Sequence, residues 1–73
     1  MIYPNPVSSF VNIESNTHIN QIKIINVKGE LLQTLSNINS LRTTIFVDTY
    51  PSGVYFVKIS TEKEEEIMKF IKN

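Results

Sequence analysis

The sequence predicts an all-β fold, a small antiparallel sandwich, and three observations point to it. Eleven Ile, six Val, six Thr, four Phe and three Tyr make thirty strand-favouring residues among 73, and Ala, the best helix former, is absent. Six segments carry strand-like apolar patterning. Turn signals separate them about every ten residues, the spacing of a small β-sandwich. The length leaves room for one domain.

Tyr3-Pro4-Asn5-Pro6 opens the chain and cannot be helical. Each Pro fixes its own φ and lacks a donor, and Asn5 before Pro6 is pushed towards extended geometry. A stiff, polyproline-like lead-in is expected, able to protect a sheet edge. Val7 to Glu14 reads as strand one, with Val11 and Ile13 on one face. Ser15-Asn16-Thr17-His18 is polar and turn-like. Strand two runs from Ile19 to Val27, with Ile22 and Ile24 on one face and Lys23, Ile25 and Val27 on the other.

Asn26-Val27-Lys28-Gly29 is a clean turn signal. Asn suits the first position because its side chain accepts from the backbone two residues on, and Gly suits the last. Strand three, Glu30 to Leu35, then forms a hairpin with strand two. Ser36 to Ser40 reads as a loop, and Leu41 to Val47 as strand four. Tyr50-Pro51-Ser52-Gly53 fits a type I turn, with Pro second and Gly fourth. Strand five, Val54 to Thr61, alternates Tyr55, Val57 and Ile59 with Val54, Phe56 and Lys58. Both faces start apolar, so this strand is expected at the centre of the sheet.

The tail, Glu62 to Asn73, carries two patterns. Thr61-Glu62-Lys63-Glu64 matches a capping box. Three Glu at the start and Lys69 and Lys72 at the end suit a helix dipole. Met68 and Phe70 alternating with Ile67, Lys69 and Ile71 suit a strand equally well. Local physics alone leans to the helix.

The same residues exclude several functions. Seven Lys/Arg balance seven Asp/Glu, so the basic field of a nucleic-acid binder is missing. Without Cys there is no disulfide scaffold and no thiolate metal site. Apolar runs of only a few residues give no transmembrane helix, and no membrane insertion is expected. No charged n-region and apolar h-region follow Met1, which places the chain in the cytosol or marks it as part of an exported protein. His18 is the single His and has no partner for general-base work, so it reads as a surface residue.

Glu62, Glu64, Glu65 and Glu66 lack the interleaved Asp, Asn and Gly of a calcium loop and read as a solvated run. The two Gly are too far apart for a phosphate loop. Tyr3, Tyr50 and Tyr55 could form an aromatic platform for sugar, although such residues are more often core or corner tyrosines. No catalytic, cofactor-binding or metal-binding set is expected, and hence no enzyme.

Three landmarks fall in order along the chain: Tyr3-Pro4-Asn5-Pro6 before a strand through Val11-Asn12-Ile13; Ile24-Ile25-Asn26-Val27-Lys28-Gly29-Glu30-Leu31-Leu32; and Tyr50-Pro51-Ser52-Gly53-Val54-Tyr55-Phe56-Val57-Lys58-Ile59 before a closing Lys69-Phe70-Ile71. Together they resemble the type A C-terminal sorting domain of the Bacteroidetes type IX secretion system, over about Tyr3 to Asn73. Each landmark is weak alone; their order and spacing are specific. The family usually has Asp where Asn26 stands, and Asn keeps the acceptor oxygen. It often has Leu where Tyr50 stands, which changes packing near that turn.

The resemblance implies an Ig-like antiparallel β-sandwich of about six to seven strands, with the tail as a strand. It implies that residues 1–73 are one sorting domain, with a core from about 3 to 73, excised from a larger cargo protein. Such a domain directs its cargo from the periplasm across the outer membrane, to the cell surface or the medium. Its implied partners are the type IX translocon, associated shuttle or sortase proteins, and the cargo in cis; no nucleic acid is implied.

Carried over residue by residue, recognition falls to Pro4, Asn5, Pro6, Tyr55, Lys69 and Phe70, and structural turns to Asn26, Gly29, Pro51 and Gly53. Tyr55 also reads as core, and Lys69 equally as a solubilising surface residue. With no net charge, recognition is expected to rest on shape and strand edges, where a last strand could extend a partner's sheet. A different class of function, an accessory module binding carbohydrate or protein for an attached enzyme, predicts a line of exposed aromatics.

Overall fold

A computed structural model describes residues 1–73 and contains strands and no helix. Five strands, β1 (Ile2–Tyr3), β2 (Phe10–Asn26), β3 (Leu31–Phe46), β4 (Gly53–Thr61) and β5 (Glu65–Lys72), form one antiparallel sheet. β2 pairs with β1, β3 and β4, and β4 also pairs with β5. The all-β antiparallel expectation holds. The sandwich of six to seven strands does not: the sheet curls as a half-barrel around one core.

The difference in strand number has two origins: two pairs of expected strands merge, and Ile2–Tyr3 adds the short β1. Ser15–His18 and Ser36–Ser40 are not chain reversals but irregular stretches within β2 and β3. Glu14 pairs with Arg42 and Ile19 with Ser40, so β2 carries the extra residues there. Ile19 then pairs with Ser40 and Gln21 with Ser36, so β3 carries them next. Asn37 and Asn39 take the left-handed conformation, with φ of 57° and 47°. Asn tolerates it better than most residues. Such bulges increase the local twist and bend. Expected strands one and two are therefore one bent strand, and so are three and four.

Bending sends the two halves of β2 to different partners. Its first half, Phe10 to Glu14, lies between β1 and the end of β3. Its second half, Gln21 to Asn26, lies between the start of β3 and β4. Val11, Ile13, Ile19, Ile22 and Ile24 are fully buried and share the core with Ile45, Val47, Tyr55, Val57, Ile59 and Phe70. Val11 with Ile13, Ile22 with Ile24, and the Tyr55–Val57–Ile59 row face inward as their alternation predicts. β4 is central, flanked by β2 and β5.

The Asn26–Gly29 hairpin forms as expected. Gly29 N–H donates to the Asn26 carbonyl at 3.0 Å, and the Asn26 side-chain oxygen accepts from Lys28 and Glu30 N–H at 2.9 and 3.0 Å. Gly29 has φ of 85°, where a Cβ would meet no atom but would be strained by the backbone itself. The second turn is displaced. Its hydrogen bond runs from Tyr50 N–H to the Val47 carbonyl at 2.9 Å, so the chain reverses over Val47–Tyr50, not Tyr50–Gly53. Pro51 leads out of the turn, and Gly53, with φ of 152°, opens β4.

The tail is a strand, as the resemblance implies and against the local lean. Thr61 still caps, but it caps a hairpin. Its hydroxyl accepts from Lys63 and Glu64 N–H at 3.2 and 3.1 Å, and its own N–H donates to the Glu64 carbonyl at 2.9 Å. Residues 65–72 then gain a full ladder with β4, from Ser60↔Glu65 to Gly53↔Lys72. Tertiary pairing of this kind overrides helix propensity.

Candidate functional site

The lead-in and the last strand, far apart in sequence, meet along one edge of the sheet. The polyproline-like extension does not form: Ile2–Tyr3 pairs with Asn12–Ile13 as β1, and Pro4–Pro6 bend away from it. The Tyr3–Pro4 and Asn5–Pro6 peptides are cis. Asn5 is carried to the outer edge of β5. Its side-chain oxygen accepts from Ile71 N–H at 2.9 Å, and its side-chain nitrogen donates to the Lys69 carbonyl at 3.4 Å. A side-chain amide thus stands where the backbone of a neighbouring strand would stand.

Val7 continues the seam. Its N–H donates to the Ile71 carbonyl at 2.7 Å, and its carbonyl accepts from Asn73 N–H at 2.8 Å. This is a parallel bridge, Val7↔Lys72. Val7 is fully buried, and Lys72 is buried along its aliphatic stem with Nζ on the Asn73 carbonyl at 3.1 Å. Strand one was expected to begin at Val7; Ser8-Ser9 separates Val7 from β2, and Val7 belongs to this seam instead. That Ser pair is the signal that could have set Val7 apart. Nothing local marks Ile71 as its partner.

Beneath the seam, Tyr55 and Phe70 are opposite residues of the β4–β5 ladder, and both are buried. Their rings stack at 5.3 Å and 19°, and Tyr50 tilts onto Tyr55 at 5.2 Å. Tyr55 donates to the Pro51 carbonyl at 2.5 Å and Tyr50 to the Gln33 side chain at 2.7 Å. Burial, then the neighbouring Tyr55, pushes the Tyr50 hydroxyl above the usual tyrosine value. So β5 is gripped from within by stacked rings and from its edge by Asn5 and Val7.

The residues named from sequence separate accordingly. Pro4, Asn5, Pro6 and Lys69 are exposed at the seam. Tyr55 and Phe70 lie in the core below it and present no surface. Asn26 and Gly29 shape the end of β2, and Pro51 and Gly53 lead into β4 at the same end of the sheet, with Gly53 opposite Lys72. No line of exposed tyrosines exists: Tyr55 is buried, Tyr50 half-buried, and Tyr3 lies apart on the edge strand. Tyr3 donates to the Glu14 carboxylate at 2.5 Å, and that bond, more than desolvation, raises its pKa.

A family model described as the secretion system C-terminal sorting domain matches residues 1–73. Comparison with curated proteins gives no significant match.

Proposed function

The chain belongs to the type IX secretion C-terminal sorting domain family, and on that premise we propose that translocon components read the seam between its lead-in and last strand. As a sorting signal of this family it marks a protein for export to the cell surface or the medium. In our reading residues 1–73 are a single non-catalytic domain carried behind a cargo, which crosses the periplasm before the outer membrane. The observation that carries the reading is the Asn5 and Val7 grip on β5: it turns two distant, exposed segments into one rigid patch of backbone and Pro rings. Pro4, Asn5, Pro6 and Lys69 supply the surface; Tyr55 and Phe70 hold its shape from below.

The test fuses the chain behind a periplasmic reporter in a type IX-competent host and in the same host lacking the translocon. Reporter outside the cell only in the competent host is the expected result. Retention in both hosts overturns the sorting role. Within the competent host, Pro4→Ala/Pro6→Ala and Lys69→Ala fusions that stay folded should be exported several-fold less. Full export of both sinks the seam as the surface that is read.

A further inference from the structure

We infer that the outer face of β2, β4 and β5 docks an extended acidic segment of a partner protein. Net charge is zero, yet the charges are sorted in space. Alternation places Lys23, Lys58 and Lys69 on the outer face, with Lys23 directly opposite Lys58 and Lys69 directly opposite Phe56. Glu65 alone among β5 carboxylates shares that face, 3.6 Å from Lys58. No carboxylate lies within salt-bridge reach of Lys23 or Lys69. Glu14, Glu64 and Glu66 instead line a cleft beside Met1 and Met68. Three lysines against one carboxylate leave this face locally positive although the chain's total charge is zero.

The lysines surround apolar surface. Ile25, Val27, Phe56, Lys58 and Ile67 line a shallow groove, in which Val27 and Ile67 are 68% and 70% exposed. Like charges directly opposite each other on adjacent strands destabilise a sheet. The Lys23/Lys58 pair therefore works against folding, and an acidic ligand would relieve it. Beside the groove the sheet edge is open. Asn5 and Val7 occupy the outward groups of Ile71 and the Lys69 carbonyl. By the antiparallel alternation the Ile67 peptide groups and Lys69 N–H also point outward, and no strand lies beyond β5 there. Unpaired N–H and C=O groups next to cations and apolar side chains fit a polypeptide strand; a lipid headgroup cannot complete that ladder.

This names the chemistry of the partner in the sorting reading, but its binding arm stands apart from export. The 73-residue chain is titrated with a blocked Glu-Val alternating octapeptide, with a Lys-Val octapeptide as control, and amide shifts are followed by NMR. The acidic peptide should move Phe56, Ile67 and Lys69, and bind more weakly as salt rises. Lys23→Gln/Lys58→Gln should weaken it about tenfold while thermal stability stays level or rises, an effect no structural role of these lysines would produce. Equal binding by the double variant, shifts confined to other faces, or binding to anionic vesicles without binding to the peptide overturns the inference. In the reporter host, full export of the double variant also overturns it while leaving the sorting role intact; retention of the wild-type fusion counts against the sorting role and leaves the peptide titration to judge the face.

Discussion

Phe70 lies directly across the β4–β5 ladder from Tyr55, with ring centroids 5.3 Å apart, so the strand that forms the seam is anchored through one aromatic pair. Phe70 is fully buried. Phe70→Ala removes a large core side chain at a cost of about 3–5 kcal/mol. A domain of this size has little more than that in total. The variant should be largely unfolded at 25 °C by circular dichroism. Tyr55→Phe keeps the stack, loses the bond to Pro51, and should cost about 1 kcal/mol. A cooperative wild-type-like melt for Phe70→Ala would refute the anchoring role.

Asn5 holds Ile71 from outside the ladder. Asn5→Ala should cost only about 1 kcal/mol in urea titrations, since the site is exposed. Its diagnostic effect is local: the Ile71 amide should exchange hydrogen much faster while amides paired between β2 and β4 change little. Asn5→Asp retains the acceptor and should preserve most of the Ile71 protection. Equal Ile71 exchange in wild type and Asn5→Ala would remove Asn5 from the seam.

The first hairpin separates side-chain from backbone control. Asn26→Ala frees the N–H groups of Lys28 and Glu30 and should cost about 1–2 kcal/mol. Asn26→Asp keeps the acceptor oxygen but loses the Nδ2 donation to the Glu30 carboxylate at 2.8 Å and sets two carboxylates together, so it should recover only part of that cost. Gly29→Ala meets no atom, so its cost of about 1 kcal/mol comes from the positive φ alone. Gly29→Asn should recover part of it. Denaturant midpoints for the four variants check this order.

Tyr50 links pH to stability. Its folded-state pKa is raised, chiefly by burial, above the value it takes when unfolded. A raised pKa means that the folded state favours the neutral hydroxyl. The contribution is therefore fully present below the unfolded tyrosine pKa, about 10, and is lost as pH rises through the higher folded value. Tyr50→Phe should flatten the alkaline fall in stability and leave the neutral range free of pH dependence from this group. Tyr3, also raised, supplies part of the remaining slope. An unchanged alkaline slope in Tyr50→Phe would reject the link.

What could be read from sequence divides by distance along the chain. The Asn26–Gly29 turn was legible because one side-chain acceptor and one positive φ decide it within four residues. The inward rows of β2 and β4 were legible because a two-residue period survives any global arrangement. Ser15–His18 and Ser36–Ser40 were recognised as breaks but misread as reversals. A polar cluster interrupts a ladder in either case, and only the distant partner strand decides between a bend and a turn. In the tail, the Thr61 of the capping box does accept backbone N–H groups, but in a hairpin and not in the helix to which local physics leaned. The seam was anticipated as a region through the family resemblance. Its bonds were not, since Asn5 and Ile71 are 66 residues apart and no local property of either points to the other. The lysine face was hidden by a net charge that averages the outer face with the acidic cleft of Glu14, Glu64 and Glu66.

Val7 receives its last hydrogen bond from Asn73, and Asn5 receives its own from Ile71. Those donors leave the ribosome after every other element of the sheet has been made. A chain interrupted before residue 71 can hold β1 to β4 and still lack the patch at which its two distant segments meet. A patch built this way exists only when both distant segments are in place, so neither the lead-in nor the last strand can present it alone.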